Sequence, residues 1–168
     1  MKIFLIGMMG AGKTYWAKKL GAKFKTGGYD LDYLISSHEE RSIAEIFEEE
    51  GEAYFRKTEA QLLRWFGEKK KFILATGGGT PCFHENMNWM NQQGVTIWLD
   101  EPVDVLVSRL LPQKAERPLI SELSDAELTG FLTKKLAERA PLYGQSQYRL
   151  HGETISDKQL NKIIQQYA

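Results

Sequence analysis

Apolar residues fall along the chain in two kinds of run. Residues 2–6 (KIFLI), 72–75 (FILA) and 95–99 (VTIWL) are short and nearly continuous, apolar at successive positions rather than alternate ones. Runs of this kind suit strands covered on both faces. Between them lie stretches in which apolar positions recur every three or four residues, the period of an amphipathic helix. Trp16, Ala17, Leu20 and Phe24 mark a helix over 14–24, which Gly27-Gly28 stops. Tyr29 and Asp30 then lead into a short helix beginning near Asp32. Ser42, with Glu45 three residues on, makes a capping-box pattern ahead of Ile43, Ile46 and Phe47, and Gly51 breaks that run. Phe55, Leu62, Leu63 and Phe66 form the inner face of a helix over 53–66. Further helices are expected over 85–92, over 102–110 with Pro102 in the first turn, and over 125–139, where Pro141 ends the pattern. Ser156, with Gln159 three residues later, caps a last helix carrying Leu160, Ile163 and Ile164. Residues 148–150 are a weaker strand candidate, and Asp100 closes the strand over 95–99.

Strands alternating with helices predict an α/β fold with a parallel sheet covered on both sides. Ligands of such sheets gather at the carboxyl ends of the strands. The glycine-rich loop over 7–12, Asp30-Leu31-Asp32, Gly77-Gly78-Gly79 and Asp100 all fall at such ends, so one shared site is expected. At 168 residues, 42% hydrophobic and 26% charged, the chain reads as one soluble globular domain. The segment 112–125, polar and interrupted by Pro112 and Pro118, reads as a mobile excursion.

Charge and side-chain chemistry narrow the function. With 22 basic and 22 acidic residues the net charge is zero, without the basic excess of many nucleic-acid binders. Cys82 is the single cysteine, which leaves no intrachain disulfide and no multi-thiolate metal site. It reads as a small, partly buried residue. His38, His84 and His151 show no metal-ligand spacing and are read as non-catalytic. The apolar start is too short to span a bilayer and lacks a cleavage site, so a cytoplasmic location without membrane partners is expected.

Gly7-Met8-Met9-Gly10-Ala11-Gly12-Lys13-Thr14 matches GxxxxGK[ST] between a predicted strand and a predicted helix. That is the context in which the pattern means a phosphate-binding loop. The glycines let the backbone wrap a phosphate chain, N–H groups and the helix N-terminus supply positive partial charge, Lys13 reaches the β- and γ-phosphates, and the Thr14 hydroxyl can ligate Mg²⁺. No NKxD segment for reading guanine is present, and the strand over 72–75 ends in Thr76 and glycines rather than an acidic pair. A switch GTPase and an ATPase motor both fit less well than a small-molecule kinase. Another kinase of the same broad class, such as a gluconate kinase-like protein, a nucleotide-binding regulatory protein and an RNA-associated NTPase remain rival classes.

Further along, GMMGAGKT (7–14), DLD (30–32), SIAEIFEEEGEAYFR (42–56), ATGGGT (75–80), RPLI (117–120) and RAPLY (139–143) occur in an order and spacing that resembles the shikimate kinase family through nearly the whole chain. The resemblance implies a three-layer α/β/α P-loop kinase fold with a central five-stranded parallel sheet. It places the acceptor-binding region at about 31–60 and a lid at about 112–125 of a single domain spanning 1–168. The implied reaction is Mg²⁺-dependent transfer of the γ-phosphoryl group of ATP to the 3-hydroxyl of shikimate, by a monomer of the aromatic amino acid pathway.

It also implies site roles. Gly10, Ala11, Gly12, Lys13, Thr14 and Tyr15 bind the nucleotide, with Arg109 over the adenine and Arg117 swinging onto the phosphates. Thr14 and Asp30 lie at the magnesium. Asp32 hydrogen-bonds the acceptor and orients its hydroxyl, making Lys13, Asp32 and Arg117 the catalytic set. Arg56 and Arg139 hold the acceptor carboxylate, with Glu59 steadying Arg56. Gly78 and Gly79 let their backbone approach the acceptor ring, and Phe47 and Phe55 wall it. The chain departs from the family pattern at Tyr15-Trp16, where smaller residues are common, in the acids Glu116, Glu122 and Asp125 of the lid, and at His151-Gly152-Glu153. The spacing from Arg109 to Arg117 is one residue longer than usual.

Overall fold

The computed structural model describes residues 1–117 and 119–168; Pro118, expected to interrupt the 112–125 segment and to follow the lid arginine, lies outside the described residues. Strands β1 (Lys2–Ile6), β2 (Gly28–Asp30), β3 (Phe72–Ala75), β4 (Val95–Asp100) and β5 (Tyr148–His151) form one parallel sheet in the order β2-β3-β1-β4-β5. The three continuous apolar runs are the three inner strands, and Ile3 to Ile6, Phe72 to Ala75 and Val95 to Asp100 are buried throughout. Eight helices flank the sheet among the described residues: α1 (Lys13–Lys23), α2 (Leu31–Glu39), α3 (Ile43–Glu50), α4 (Glu52–Phe66), α5 (Asn86–Gln93), α6 (Val103–Leu110), α7 (Asp125–Tyr143) and α8 (Asp157–Gln165). No helix among the described residues is long and apolar enough to cross a membrane.

Side-chain caps start several helices where the sequence places them. Ser42 accepts from the Glu45 amide at 3.1 Å, and Ser156 from the Gln159 amide at 3.3 Å. At α7 the box is complete: Ser124 accepts from the Glu127 amide at 3.1 Å, and the Glu127 carboxylate accepts from the Ser124 amide at 3.0 Å.

Three expectations fail locally. Gly28 is the first residue of β2 rather than part of a stop. The backbone of α1 lies directly on it, so that any Cβ there would strike the Ala17 carbonyl. A three-residue strand led by glycine carries no apolar run to announce it. Pro141 does not end the helix before it: α7 runs through Pro141 to Tyr143. Proline costs the helix the one bond that its own missing N–H would have made, and the turn after it can still close. The Gly144 amide still closes on the Ala140 carbonyl at 2.8 Å. Pro102 is the N-cap of α6, one place before its first turn.

The chain leaves β1 toward β2 and later crosses to β4 on the other side. The carboxyl end of β1 therefore faces a point where connections diverge, the usual place for a ligand crevice in an open parallel sheet. Residues 111–116 form a 3₁₀ helix beside this edge. Ile120 is fully buried, and Lys114 Nζ donates to the Leu123 carbonyl at 2.7 Å. Burying such a side chain contributes roughly 1.5–3 kcal/mol, so this part of the 112–125 segment is anchored to the core rather than free of it.

Candidate active site

The loop after β1 is built by backbone. Gly7, Gly10 and Gly12 have φ of 150°, 82° and 92°, the region that favours glycine. Gly12 in this conformation is the N-cap of α1, and no side chain caps that end. The amide groups at the start of α1 thus remain for a ligand, with the positive end of the helix dipole behind them. Lys13 is buried, and its ammonium donates to the Gly7 and Met8 carbonyls at 2.5 and 2.9 Å. Burial lowers its pKa to about 8, against the opposing pull of Asp32 and Asp30.

Asp30, the last residue of β2, has two tasks. Its Oδ1 caps α2 by accepting from the Asp32 and Tyr33 amides at 2.9 and 3.3 Å. Its Oδ2 accepts from the Thr14 hydroxyl. A hydroxyl oxygen and a carboxylate oxygen held together at the mouth of a phosphate loop are hard donors, of the kind Mg²⁺ takes alongside phosphate oxygens. The donor set fits that ion.

Around these groups lies a pocket of about 430 Å³, lined by Gly10 to Tyr15, Asp30, Asp32, Gly77, Gly78, Arg109, Gln113 and Arg117 among others. Every residue expected to touch nucleotide or metal is in that lining. Arg117 Nη2 donates to Gln113 at 3.2 Å. Arg109 pairs with Glu101 at 2.7 Å and donates to the Gly10 carbonyl at 3.0 Å, which ties it to the phosphate loop. Arg109 also lines a neighbouring cavity with Tyr15, Trp16, Pro102, Gly152 and Glu153. Gly152 and Glu153 thus belong to this end of the crevice despite the unusual sequence there.

A second pocket, of about 350 Å³, adjoins the first and shares Met9, Asp32, Gly77, Gly78 and Arg117 with it. Its apolar wall comes from Phe47 and Phe55, whose ring centroids are 4.6 Å apart, with Ile43, Ala44 and Leu119. Arg56 and Arg139 enter it from α4 and α7. Arg56 Nη1 donates to Glu59 at 3.1 Å, and Glu59 also accepts from the Thr80 hydroxyl at 2.8 Å. Glu59 is fully buried, and burial holds its carboxyl above the ordinary range although Arg56 opposes the shift. Asp32 is pushed up to about 6, first by burial and then by Asp30 and Glu59.

The glycines after β3 have a reason that the sequence did not supply. A Cβ on Gly78 would stand 2.8 Å from Arg139 Nη1, and one on Gly79 would stand 2.5 Å from Arg56 Nη2. Neither glycine has the positive φ that would demand it; the need is for room beside the two guanidinium groups. Tyr143 was also missed as a site residue. It is fully buried, and its hydroxyl donates to the Gly78 carbonyl at 2.5 Å. Only its place in the RAPLY segment hinted at it, and the expected helix end at Pro141 would have removed it from α7. Glu116 and Leu119 line the second pocket. Cys82 is half-buried and burial raises its pKa, which does not favour a reactive thiolate. His151 sits with Arg149 on Asp100, at 3.1 Å from that carboxylate, outside both pockets.

A family model described as shikimate kinase matches residues 9–168. A shikimate kinase of Bacteroides fragilis is 40% identical over 167 residues, which cover 99% of this chain and 93% of that protein. The crystal structure of a shikimate kinase from Bacteroides thetaiotaomicron superposes with a TM-score of 0.89 at 38% identity, covering 99% of this chain and 96% of that one. A shikimate kinase from Acinetobacter baumannii in complex with shikimate has a TM-score of 0.87 at 31% identity, covering 98% and 93%.

Proposed function

This chain belongs to the shikimate kinase family, and from that premise we propose that its two adjoining pockets are the nucleotide and acceptor halves of one phosphoryl-transfer site. The carrying observation is the boundary between them, where Asp32, Gly77, Gly78 and Arg117 line both. The reaction is transfer of the γ-phosphoryl group of ATP to the 3-hydroxyl of shikimate, giving ADP and shikimate 3-phosphate.

Positioning and charge do most of the work in such a transfer. The loop amides over 10–14 and the Lys13 ammonium hold the phosphate chain, Lys13 exchanging its loop carbonyls for phosphate oxygens. Thr14 and Asp30 would hold Mg²⁺, which supplies charge neutralisation on the phosphates when bound. Asp32 accepts a hydrogen bond from the attacking hydroxyl and aims its oxygen across the shared boundary. Arg117 meets charge on the transferring group, and Arg109 covers the base. At the far end Arg56 and Arg139 present paired donors to the acceptor carboxylate, as planar guanidinium groups do well. Phe47 and Phe55 exclude water from the ring. The segment over 112–125 serves as the lid of a single catalytic domain. We place the enzyme in the cytoplasm as a monomer whose partners are ATP and shikimate.

Coupled ADP release with Mg²⁺·ATP tests this, run with shikimate, with gluconate and with Arg56→Ala. Turnover that requires shikimate, fails with gluconate and collapses in Arg56→Ala is the expected result. ATP binding without shikimate-dependent turnover would overturn the acceptor assignment.

A further inference from the structure

Arg56 is restrained by more than its acidic neighbours. Its side chain is 11% exposed, and its guanidinium carbon lies 4.3 Å from the centroid of the Phe83 ring. Phe55 is also near, at 5.1 Å, but it is the adjacent residue on the same helix and a wall of the acceptor pocket. Phe83 comes from a separate segment and is absent from the pocket lining. It touches the arginine rather than the acceptor space.

The segment carrying Phe83 is held hard. Thr80–Cys82 is a 3₁₀ turn, and Phe83 follows it with extended backbone. His84 and Glu85 then both take left-handed conformations, with φ of 49° and 56°. Residues with a Cβ disfavour that region, and two in succession persist only where the surroundings fix them. Here Arg64 of α4 donates to the His84 carbonyl at 2.8 Å and to Asn86 Oδ1 at 2.7 Å. Asn86 in turn donates to the Thr80 carbonyl at 2.9 Å. Thr80 of the same segment donates to Glu59. One clamped turn therefore presents both the hydroxyl that orients Glu59 and the ring that lies against Arg56.

We propose that Phe83 is a positioning residue for acceptor binding: its ring supports the Arg56 guanidinium and, with Glu59, sets the direction in which that group meets the acceptor carboxylate. This rests on the reading above that Arg56 anchors the acceptor. A guanidinium over an aromatic face is attracted by the ring quadrupole, more strongly where water is excluded, as it is beside this nearly buried arginine. The ring blocks movement of the guanidinium toward it, a direction that the hydrogen bonds to Glu59 do not by themselves restrain. Leucine would fill much of the volume without providing the face.

Steady-state kinetics on Phe83→Leu, Phe83→Tyr, Arg56→Ala and the Arg56→Ala/Phe83→Leu double variant test it. Phe83→Leu is expected to raise the KM for shikimate roughly three- to tenfold. Its kcat and its KM for ATP should stay within about twofold, and Phe83→Tyr should return the shikimate KM to within about twofold of wild type. On the Arg56→Ala background, Phe83→Leu should add less than about twofold, because the partner it acts through is gone. A shikimate KM unmoved by Phe83→Leu, or a loss of the same size with Arg56 absent, would overturn the inference. If Phe83→Leu fails to fold, Phe83→Met carries the same expectations. Arg56→Ala without effect on the shikimate KM would instead overturn the anchor reading itself, and this inference with it.

Discussion

The phosphate loop and the pocket we assign to the acceptor share a wall, yet they are made in opposite ways. The loop is local and mostly backbone: eight consecutive residues, three glycines of positive φ and one buried lysine. The acceptor pocket is long-range and mostly side chain, drawing Asp32 from α2, Arg56 and Glu59 from α4, Gly77 to Gly79 from the end of β3 and Arg139 from α7. A backbone cradle offers generic donors to any phosphate chain. A side-chain pocket can be made selective, at the cost of burying charges that must be paired. Glu59, fully buried and bonded to both Arg56 and Thr80, shows that pairing carried through.

The difference sharpens first at Lys13, the buried side chain inside the backbone cradle. Lys13→Met is expected to lower kcat by about 10²–10³, while calorimetry shows shikimate binding nearly unchanged. Loss of shikimate binding in that variant would mean the two halves are not separable. On the acceptor side, Gly79→Ala puts a methyl group 2.5 Å from the present position of Arg56 Nη2. The displaced group is the guanidinium that pairs with fully buried Glu59, so the melting temperature should fall as well. The shikimate KM should rise about tenfold or more, since small misplacements of a positioning group are costly. An unchanged KM would show that Arg56 need not occupy its present place.

The smallest expected effect is on stability. Burial holds the folded-state pKa of Glu59 above its ordinary value of 4.5. The folded protein therefore binds more protons than the unfolded chain between those two values, and stability falls as pH rises through that window. Glu59→Gln removes this contribution. Thermal melts from pH 4 to 8 should show the wild type losing ground to Glu59→Gln as pH rises, then running parallel above the raised pKa, at no more than about 1.4 kcal/mol per pH unit. Parallel curves throughout would remove burial as the governing influence on this carboxyl.

The same contrast explains what could be read from the chain alone. The phosphate loop is contiguous, so its chemistry stood in eight letters. The inner strands announced themselves because a doubly covered strand must be apolar at successive positions. The short strand β2 did not, because Gly28 is there to admit the backbone of α1 and leaves no pattern. Arg56 and Arg139 came together only through family resemblance, since nothing local in the sequence says that α4 and α7 point into one pocket. Tyr143 was hidden by proline's usual meaning. Phe83 was hidden because a ring supporting an arginine is indistinguishable, in sequence, from a ring in a core.

The central claim is that two partly buried guanidinium groups recognise the acceptor through its carboxylate. It is tested most directly by measuring kcat/KM for shikimate and for its methyl ester in wild type and Arg56→Ala. Esterification should cost the wild type at least about tenfold and cost Arg56→Ala far less, because the interaction it removes is already missing there. Equal losses in the two proteins would contradict the claim, and would move recognition of the acceptor away from Arg56.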